Sequence, residues 1–349
     1  MQGQSDTSEK PLILSLFSGC GGLDLGFEAA GFETALAFDL RPAAILSHNH
    51  NRKHRPGHVT DITQLKFEDL DKKFGARFDP VGVIGGPPCQ SFSRGNSNKS
   101  DDDPRSKLVR KFFNLALRLH RSRSGLDFIV MENVLEVARA EKGRLLDAEI
   151  SRLEKEGFAV FVEETNALDF GVAQNRRRLI LVALNKKRMR RSWSGLRKSE
   201  NALNVRDVIG AIAEPVHFNE YKQGERSREH VNHWCMTPKS PKFFNGSLTS
   251  ARSSGRSFKV LDWDKPSYTV SYGHREVHVH PSGHRRLSVF EAMLLQGFPR
   301  EFELLGTLSD QISQVSEAVP PPLAEAVANA IMEALSYENW VSYCSKAAA

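Results

Sequence analysis

Cys89 stands at the end of Gly85-Gly-Pro-Pro-Cys89, behind the apolar run Val81-Gly-Val-Ile84 and ahead of Gln90-Ser-Phe-Ser93. A short apolar run closed by Gly-Gly predicts a buried parallel strand that releases the chain into a loop. Pro87 and Pro88 then fix φ and remove two N–H donors, so the thiol is presented by a stiff turn. A free cysteine is commonly an inert core residue. On such a turn it can instead be a nucleophile, if nearby cations or amides favour the thiolate. Glu132 ends another apolar run, Phe128-Ile-Val-Met131, and could hold or deliver a proton. Arg176 and Arg178 lead into Leu179-Ile-Leu-Val-Ala-Leu184, and arginines entering a buried strand are costly unless something anionic meets them.

These groups need a frame that brings them to one edge. Leu12 to Phe17 reads as a strand, Ser18-Gly-Cys-Gly-Gly22 as a turn, and Leu23 to Ala30 as a helix ended by Gly31. Such a unit suits a nucleotide at the helix N-terminus. The dinucleotide fingerprint would need glycine at position 24, where Asp24 stands, and an acid there would repel a pyrophosphate. A nucleoside without phosphate fits better. Asp39 ends the strand Thr34 to Phe38 and could take both ribose hydroxyls or simply cap a helix. Asp61, beside Ile62, suits the exocyclic amine of adenine. The polar stretch Arg94 to Arg105 reads as a mobile flap. Helices follow with Leu108, Phe112, Leu115, Ala116 and Leu119 on one face, and with Leu145, Ile150 and Leu153. The alternation of strands and helices predicts an α/β fold with a doubly wound, mostly parallel sheet, whose carboxyl edge would present Phe17, Asp39, Cys89 and Glu132 together.

The 349 residues, 40% of them hydrophobic, are enough for a large core and a second lobe. No stretch approaches the roughly 18 apolar residues of a membrane span, and the polar start lacks a signal core, so a cytoplasmic setting is expected. Cys20, Cys89, Cys235 and Cys344 are widely separated, which argues against disulfides and cysteine-rich zinc sites. His230, His233 and Cys235 lack the second cysteine pair that a structural zinc would want, and no metal is expected. The net charge of +6 favours a polyanionic partner. Periodicity weakens after Lys186-Lys-Arg-Met-Arg-Arg191 and resumes near Arg285. The expected organisation is therefore a polar tail (1–10), a catalytic and cofactor-binding domain (11–186), a smaller irregular domain (187–283) and a return segment with a C-terminal helix (284–345).

In order along the chain, Phe17-Ser-Gly-Cys-Gly-Gly22, Asp39, Asp61-Ile62, Gly85 to Ser93, Glu132-Asn-Val134, Gln174 to Arg178, Arg286-Leu-Ser288 with Glu291 and Gln296-Gly-Phe-Pro299, and Gln314 to Pro320 resemble the motifs of the C5-cytosine DNA methyltransferases. The resemblance implies a Rossmann-like methyltransferase lobe that binds S-adenosylmethionine and leaves S-adenosylhomocysteine, a target-recognition domain, and double-stranded DNA between them. It implies Cys89, Glu132, Arg176 and Arg178 as catalytic residues. For the cofactor it implies Phe17, Gly19, Cys20, Gly22, Leu23, Asp39, Leu40, Asp61, Ile62, Gly86, Pro88, Leu108 and Val319. For DNA it implies Gln90, Ser91, Ser93, Arg105 and Thr269. Two departures stand out: Ser15 occupies a position where many relatives have an acid, and Ser316-Glu317 replaces the usual Gly-Asn.

The implied chemistry is addition of the Cys89 thiolate to C6 of a flipped-out cytosine, with Glu132 at N3 and the 4-amino group and Arg178 at the ring carbonyl. A monomeric modification enzyme of a restriction-modification system is expected, its cognate endonuclease not binding it directly. A tRNA cytosine methyltransferase on the same scaffold would use the same residues, and a silent DNA-binding relative would keep the fold without the chemistry. A Rossmann oxidoreductase is disfavoured by Asp24 and the Cys89 loop.

Overall fold

The computed structural model describes residues 10–88, 106–252, 258–269 and 278–337. Cys89, Gln90, Ser91, Ser93 and Arg105, with the expected flap, lie outside the described residues, as do His274 and Cys344.

The first half of the chain runs β1 (Leu12–Leu16), α1 (Gly22–Ala29), β2 (Glu33–Asp39), α2 (Pro42–His50), β3 (Gly57–Val59), α3 (Phe67–Phe74), β4 (Gly82–Gly85), α4 (Ser106–Ser122), β5 (Phe128–Asn133), α5 (Arg144–Lys155), β6 (Phe158–Asn166), β7 (Gln174–Asn175) and β8 (Arg177–Asn185). Seven of these strands form one sheet in the order β3-β2-β1-β4-β5-β8-β6. Pairs among β1 to β5 are parallel, while β8 runs antiparallel between β5 and β6. The order reverses at β1 and β4, and open α/β sheets bind ligands beyond the carboxyl ends of the strands at such a reversal.

Because strand side chains alternate, successive apolar residues serve two cores. Leu14, Val83, Met131 and Leu181 pack with Phe112, Phe113 and Leu145 of α4 and α5, whereas Ile13, Ile84, Val130 and Ile180 pack with Phe27 of α1 and with Val327 and Ile331 near the C-terminus. The sheet is therefore covered on both faces, as near-continuous apolar strands require.

Between β8 and the return the elements are short: α6 (Val205–Ile209), β9 (Val216–His217), α7 (Phe218–Lys222), β10 (Trp234–Cys235), β11 (Lys259–Val260), β12 (Ser267–Tyr268) and β13 (His278–Val279). The return consists of α8 (Val289–Leu295), α9 (Leu308–Glu317) and α10 (Pro321–Leu335). Trp234 packs with Val289, Met293 and Phe298, and Val205, Ile209 and Leu261 pack with Leu287, Phe290 and Leu294. His233 donates from Nε2 to the Ala213 carbonyl at 2.7 Å and shares a 2.9 Å hydrogen bond with Ser288 through Nδ1, while His230 stacks on Phe290. These histidines thus join the irregular stretch to α8. Helices α2 and α9 go beyond what apolar periodicity suggests. Their signals are local: Pro42 opens α2, and Thr307 and Asp310 form a reciprocal capping box at α9.

The glycine turn is tied down from beneath by buried charge. Asp24 does not face a ligand at the turn, as an acid repelling pyrophosphate would have to. It is fully buried, accepting from His48 Nε2 at 3.1 Å and from Ser15 Oγ at 3.0 Å. Ser15 thereby serves Asp24 as a hydrogen-bond donor, which an ionised acid at that position could not do. Arg52 closes the cluster, donating to Glu28 at 2.8 Å and to the Gly21 carbonyl at 3.3 Å. Burial pushes the Asp24 carboxyl up, but the hydrogen bond and charge of His48, with Arg52 and Ser15, hold it below the usual carboxylate range. The stabilisation is therefore present above the unfolded carboxyl's range and is lost as pH falls through the lower, folded one. Replacing His48 by Leu should leave a buried carboxylate short of a partner and lower unfolding stability by about 3 kcal/mol. Denaturant titration checks this, and a loss below about 1 kcal/mol would mean that the pair is not the turn's support.

Candidate active site

Glu132 lies opposite Ile180 in the β5–β8 ladder, and Arg178 is two residues from Ile180, so the two long side chains are diagonal neighbours on one face. They meet at 2.8 Å, Arg178 Nε to Glu132 Oε1, and both side chains are largely shielded. Gly86, just past β4, leaves room for this pair: a Cβ there would lie 3.3 Å from Glu132 Oε2. Asn133 holds the loop above. Its Nδ2 donates to the Pro87 carbonyl at 3.0 Å and its Oδ1 accepts from Val134 N at 2.9 Å. Pro87 is two residues before Cys89, so the start of the cysteine loop is fastened to the strand that carries Glu132. Asn133 had been legible only as the middle of Glu132-Asn-Val134.

Arg176 sits differently from Arg178. It is 1% exposed, and its guanidinium donates to the Ser316 carbonyl at 2.9 Å. Burial lowers its pKa well below the ordinary arginine value and the neighbouring Arg178 adds to this, while Glu132 and Glu317 oppose it. A partner of the buried guanidinium is thus a backbone carbonyl, through which Arg176 braces the return segment.

Of the cofactor residues expected from sequence, Phe17, Gly19, Asp39 and Leu40 lie at the ends of β1 and β2. Phe17 leaves β1 with φ of 56°, a left-handed conformation that a bulky residue adopts only when its surroundings impose it. Asp39 accepts from Gly19 N and from Arg41 N, each at 2.9 Å, so its two oxygens are aimed at the rim of the turn. Leu40, next to it, is 65% exposed. Asp61 is joined to this edge through Thr60, whose N–H donates to the Asp39 carbonyl at 2.9 Å. Its own carboxylate accepts from the hydroxyl and the N–H of Thr63, and these bonds hold its pKa below the usual range. Ile62 is buried beneath it in the core on the α4 side of the sheet. Leu23 and Val319 share one apolar cluster, and a Cβ on Gly22 would fall 2.3 Å from the Val319 carbonyl, so the return segment lies directly on the turn. Pro88 is exposed and Leu108 half-buried. Cys20 offers only its backbone: its thiol is buried, facing the Gln314 carbonyl, and burial pushes its pKa up to about 12.

Thr269 is brought close by the short β12–β7 pairing and donates to the Asn175 carbonyl at 2.7 Å. Asn166 accepts from Arg176 N at 2.9 Å and donates to Asn175 Oδ1 at 3.0 Å, so Thr269, Asn175, Asn166 and Arg176 form one connected edge. Nothing in the pattern around Asn166 marked it for this role.

The chain matches the C-5 cytosine-specific DNA methylase family over residues 12–333. It is 30% identical to the Type II methyltransferase M.NgoPII of Neisseria gonorrhoeae, the match covering 96% of this chain and 99% of the relative. It is 32% identical to the Type II methyltransferase M1.HphI of Haemophilus parahaemolyticus, covering 92% and 86% of the two chains. Among solved structures, a prophage-encoded protein described as a DNA modification methyltransferase (E. coli) superposes with TM-score 0.77 at 22% identity over 93% of this chain and 99% of that one. The Dnmt2 methyltransferase of S. pombe gives 0.63 at 17% identity over 95% and 100%.

A double-mutant cycle on Glu132→Gln and Arg178→Met, read by denaturant unfolding, should return a coupling of about 1 to 3 kcal/mol. Additive losses would show that the two groups do not depend on each other.

Proposed function

Since the chain belongs to the C-5 cytosine-specific DNA methylase family, we propose that it methylates C5 of one cytosine in a specific double-stranded DNA sequence through a covalent bond between Cys89 and C6. The observation that carries this reading is the Glu132–Arg178 pair, held beside the strand that exits into the Cys89 loop. The resemblance to Type II methyltransferases supports a modification role beside a restriction endonuclease in a bacterial cell. Among the described residues no helix is long and apolar enough to cross a membrane.

S-adenosylmethionine, when bound, supplies an electrophilic methyl group. The residues at the turn fit its nucleoside: Asp39 for the ribose, the strained Phe17 and exposed Leu40 for the faces of a ring, and Asp61 for an amine. On the substrate side Glu132 and Arg178 satisfy each other while no base is present. A flipped cytosine would part them, Glu132 turning to N3 and the 4-amino group and Arg178 to the carbonyl oxygen. Parted from Arg178, Glu132 would take up a proton from solvent; the Cys89 thiolate adds to C6, and Glu132 passes that proton to N3 as the ring becomes an enamine. C5 would then take the methyl group, the donor leaving as the neutral thioether S-adenosylhomocysteine. Loss of the C5 proton to a base re-forms the C5–C6 double bond and expels the thiolate, and the N3 proton returns to Glu132. Extraction of the base costs a few kcal/mol, offset by contacts from the protein. Residues 187–283, whose described parts carry only short regular elements, are assigned the reading of base edges.

DNA with 5-fluorocytosine at the target leaves no C5 proton to remove, so a denaturation-resistant adduct should form that needs both S-adenosylmethionine and Cys89. Cys89→Ser should lose the adduct and at least ~10³-fold in turnover. An adduct that persists in Cys89→Ser, or that maps to Cys20, Cys235 or Cys344, would refute the mechanism. Grafting residues 187–283 onto a relative of different specificity should transfer the target sequence, as bisulfite sequencing would reveal; a hybrid keeping the host's target would disprove the assignment of that segment.

A further inference from the structure

Arg41 and Glu317 form an ion pair between two segments far apart in sequence, the start of α2 and the last residue of α9. Both side chains are partly open to solvent, at 38% and 45%. An exposed pair of this kind contributes little to stability. Its position is more informative. Arg41 Nη2 comes within 3.8 Å of where a Gly19 Cβ would stand, and Arg41 Nε lies 3.5 Å from Asp39 Oδ1. Glu317 is followed at once by Ala318 and Val319, which lie against Gly22. The two charges therefore stand over the glycine turn, beside the carboxylate that faces the ribose in the reading above.

We propose that Arg41 and Glu317 are specificity residues for the amino-acid end of the methyl donor, exchanging their mutual ion pair for its carboxylate and its ammonium respectively. The assignment rests on the chain's use of S-adenosylmethionine. A zwitterion matches a cation and an anion set side by side, and the backbone polarity agrees with that match. The positive end of α1 begins at Gly22 and favours a carboxylate, whereas the negative end of α9 at Glu317 favours a cation. Partial burial raises the Glu317 carboxyl above its ordinary value, Arg41 opposes this and Asp39 adds to it. A carboxylate so placed gains from a second cation. The pair also accounts for the substitution of Glu317 for the family's usual asparagine: an acid there is tolerated because Arg41 meets it.

Calorimetry on the full chain separates this end of the ligand from the rest. S-adenosylhomocysteine carries the amino-acid end, and 5′-deoxy-5′-methylthioadenosine keeps the nucleoside thioether without it. Arg41→Ala and Glu317→Gln should each weaken S-adenosylhomocysteine about tenfold or more while changing methylthioadenosine by less than about twofold. In turnover, KM for the donor should rise with kcat nearly unchanged, and Arg41→Lys should recover part of the affinity. Glu317→Gln alters only charge at an open position, so it decides the matter should Arg41→Ala fail to fold. Equal losses for both ligands, or none for either, would overturn the assignment alone. Wild-type protein that binds neither ligand would overturn the donor reading and the assignment with it.

Discussion

A carboxylate and a guanidinium carried by neighbouring strands, Glu132 and Arg178, meet at 2.8 Å because β8 runs antiparallel to β5 with Glu132 opposite Ile180. Strand side chains alternate, so a slip of one residue would send Arg178 to the other face and bring in Arg177, which now pairs with Glu164 at the exposed side. The register is held by the apolar run Leu179 to Leu184, buried in both cores, so a slip would exchange core residues between the two faces along the whole strand. The geometry of the Glu132–Arg178 pair thus depends on the packing of the strand that carries Arg178. Asn133 extends the same constraint to the cysteine loop through Pro87.

Around the glycine turn, charge is treated in two ways. Beneath it, Asp24, His48 and Arg52 are buried and each has a hydrogen-bonded partner, which fixes the turn and its short helix. On its other side Arg41 and Glu317 pair while partly open to solvent, next to the more buried Asp39. A buried charge that loses its partner is expensive, whereas a partly solvated one can change partners at modest cost. The division suits a rigid floor and an adaptable rim.

The return of the chain links the two halves of the site. The Arg176 guanidinium on the Ser316 carbonyl joins the entrance of β8 to the end of α9, and Gln296 Nε2 on the Val315 and Ala318 carbonyls, both at 2.7 Å, ties α8 to the same place. Trp234 and Asn232 fasten the irregular stretch to α8 and α9, Asn232 donating to the Leu304 carbonyl at 2.8 Å. The entrance of β8, the end of α8 and the glycine turn therefore share one support near Ser316 to Val319.

The apolar runs at β1, β4, β5 and β8, the helical faces of α4 and α10, and the turn chemistry at Gly19 to Gly22 and Gly85 to Pro88 were legible in the sequence, because each follows from local periodicity or backbone freedom. The same local rules set Asp39 and Glu132 at strand ends. They could not tell that β8 enters the sheet antiparallel, that Asp24 faces the core while Asp39 faces the rim, or that Arg176 and Arg178 part ways, one bracing Ser316 and the other meeting Glu132. Nor could they join Arg41 to Glu317 or Asn133 to Pro87. Those outcomes belong to the tertiary structure because a long polar side chain has no intrinsic preference among partners. Its partner is whichever group the packed strands and the returning chain bring within hydrogen-bonding reach.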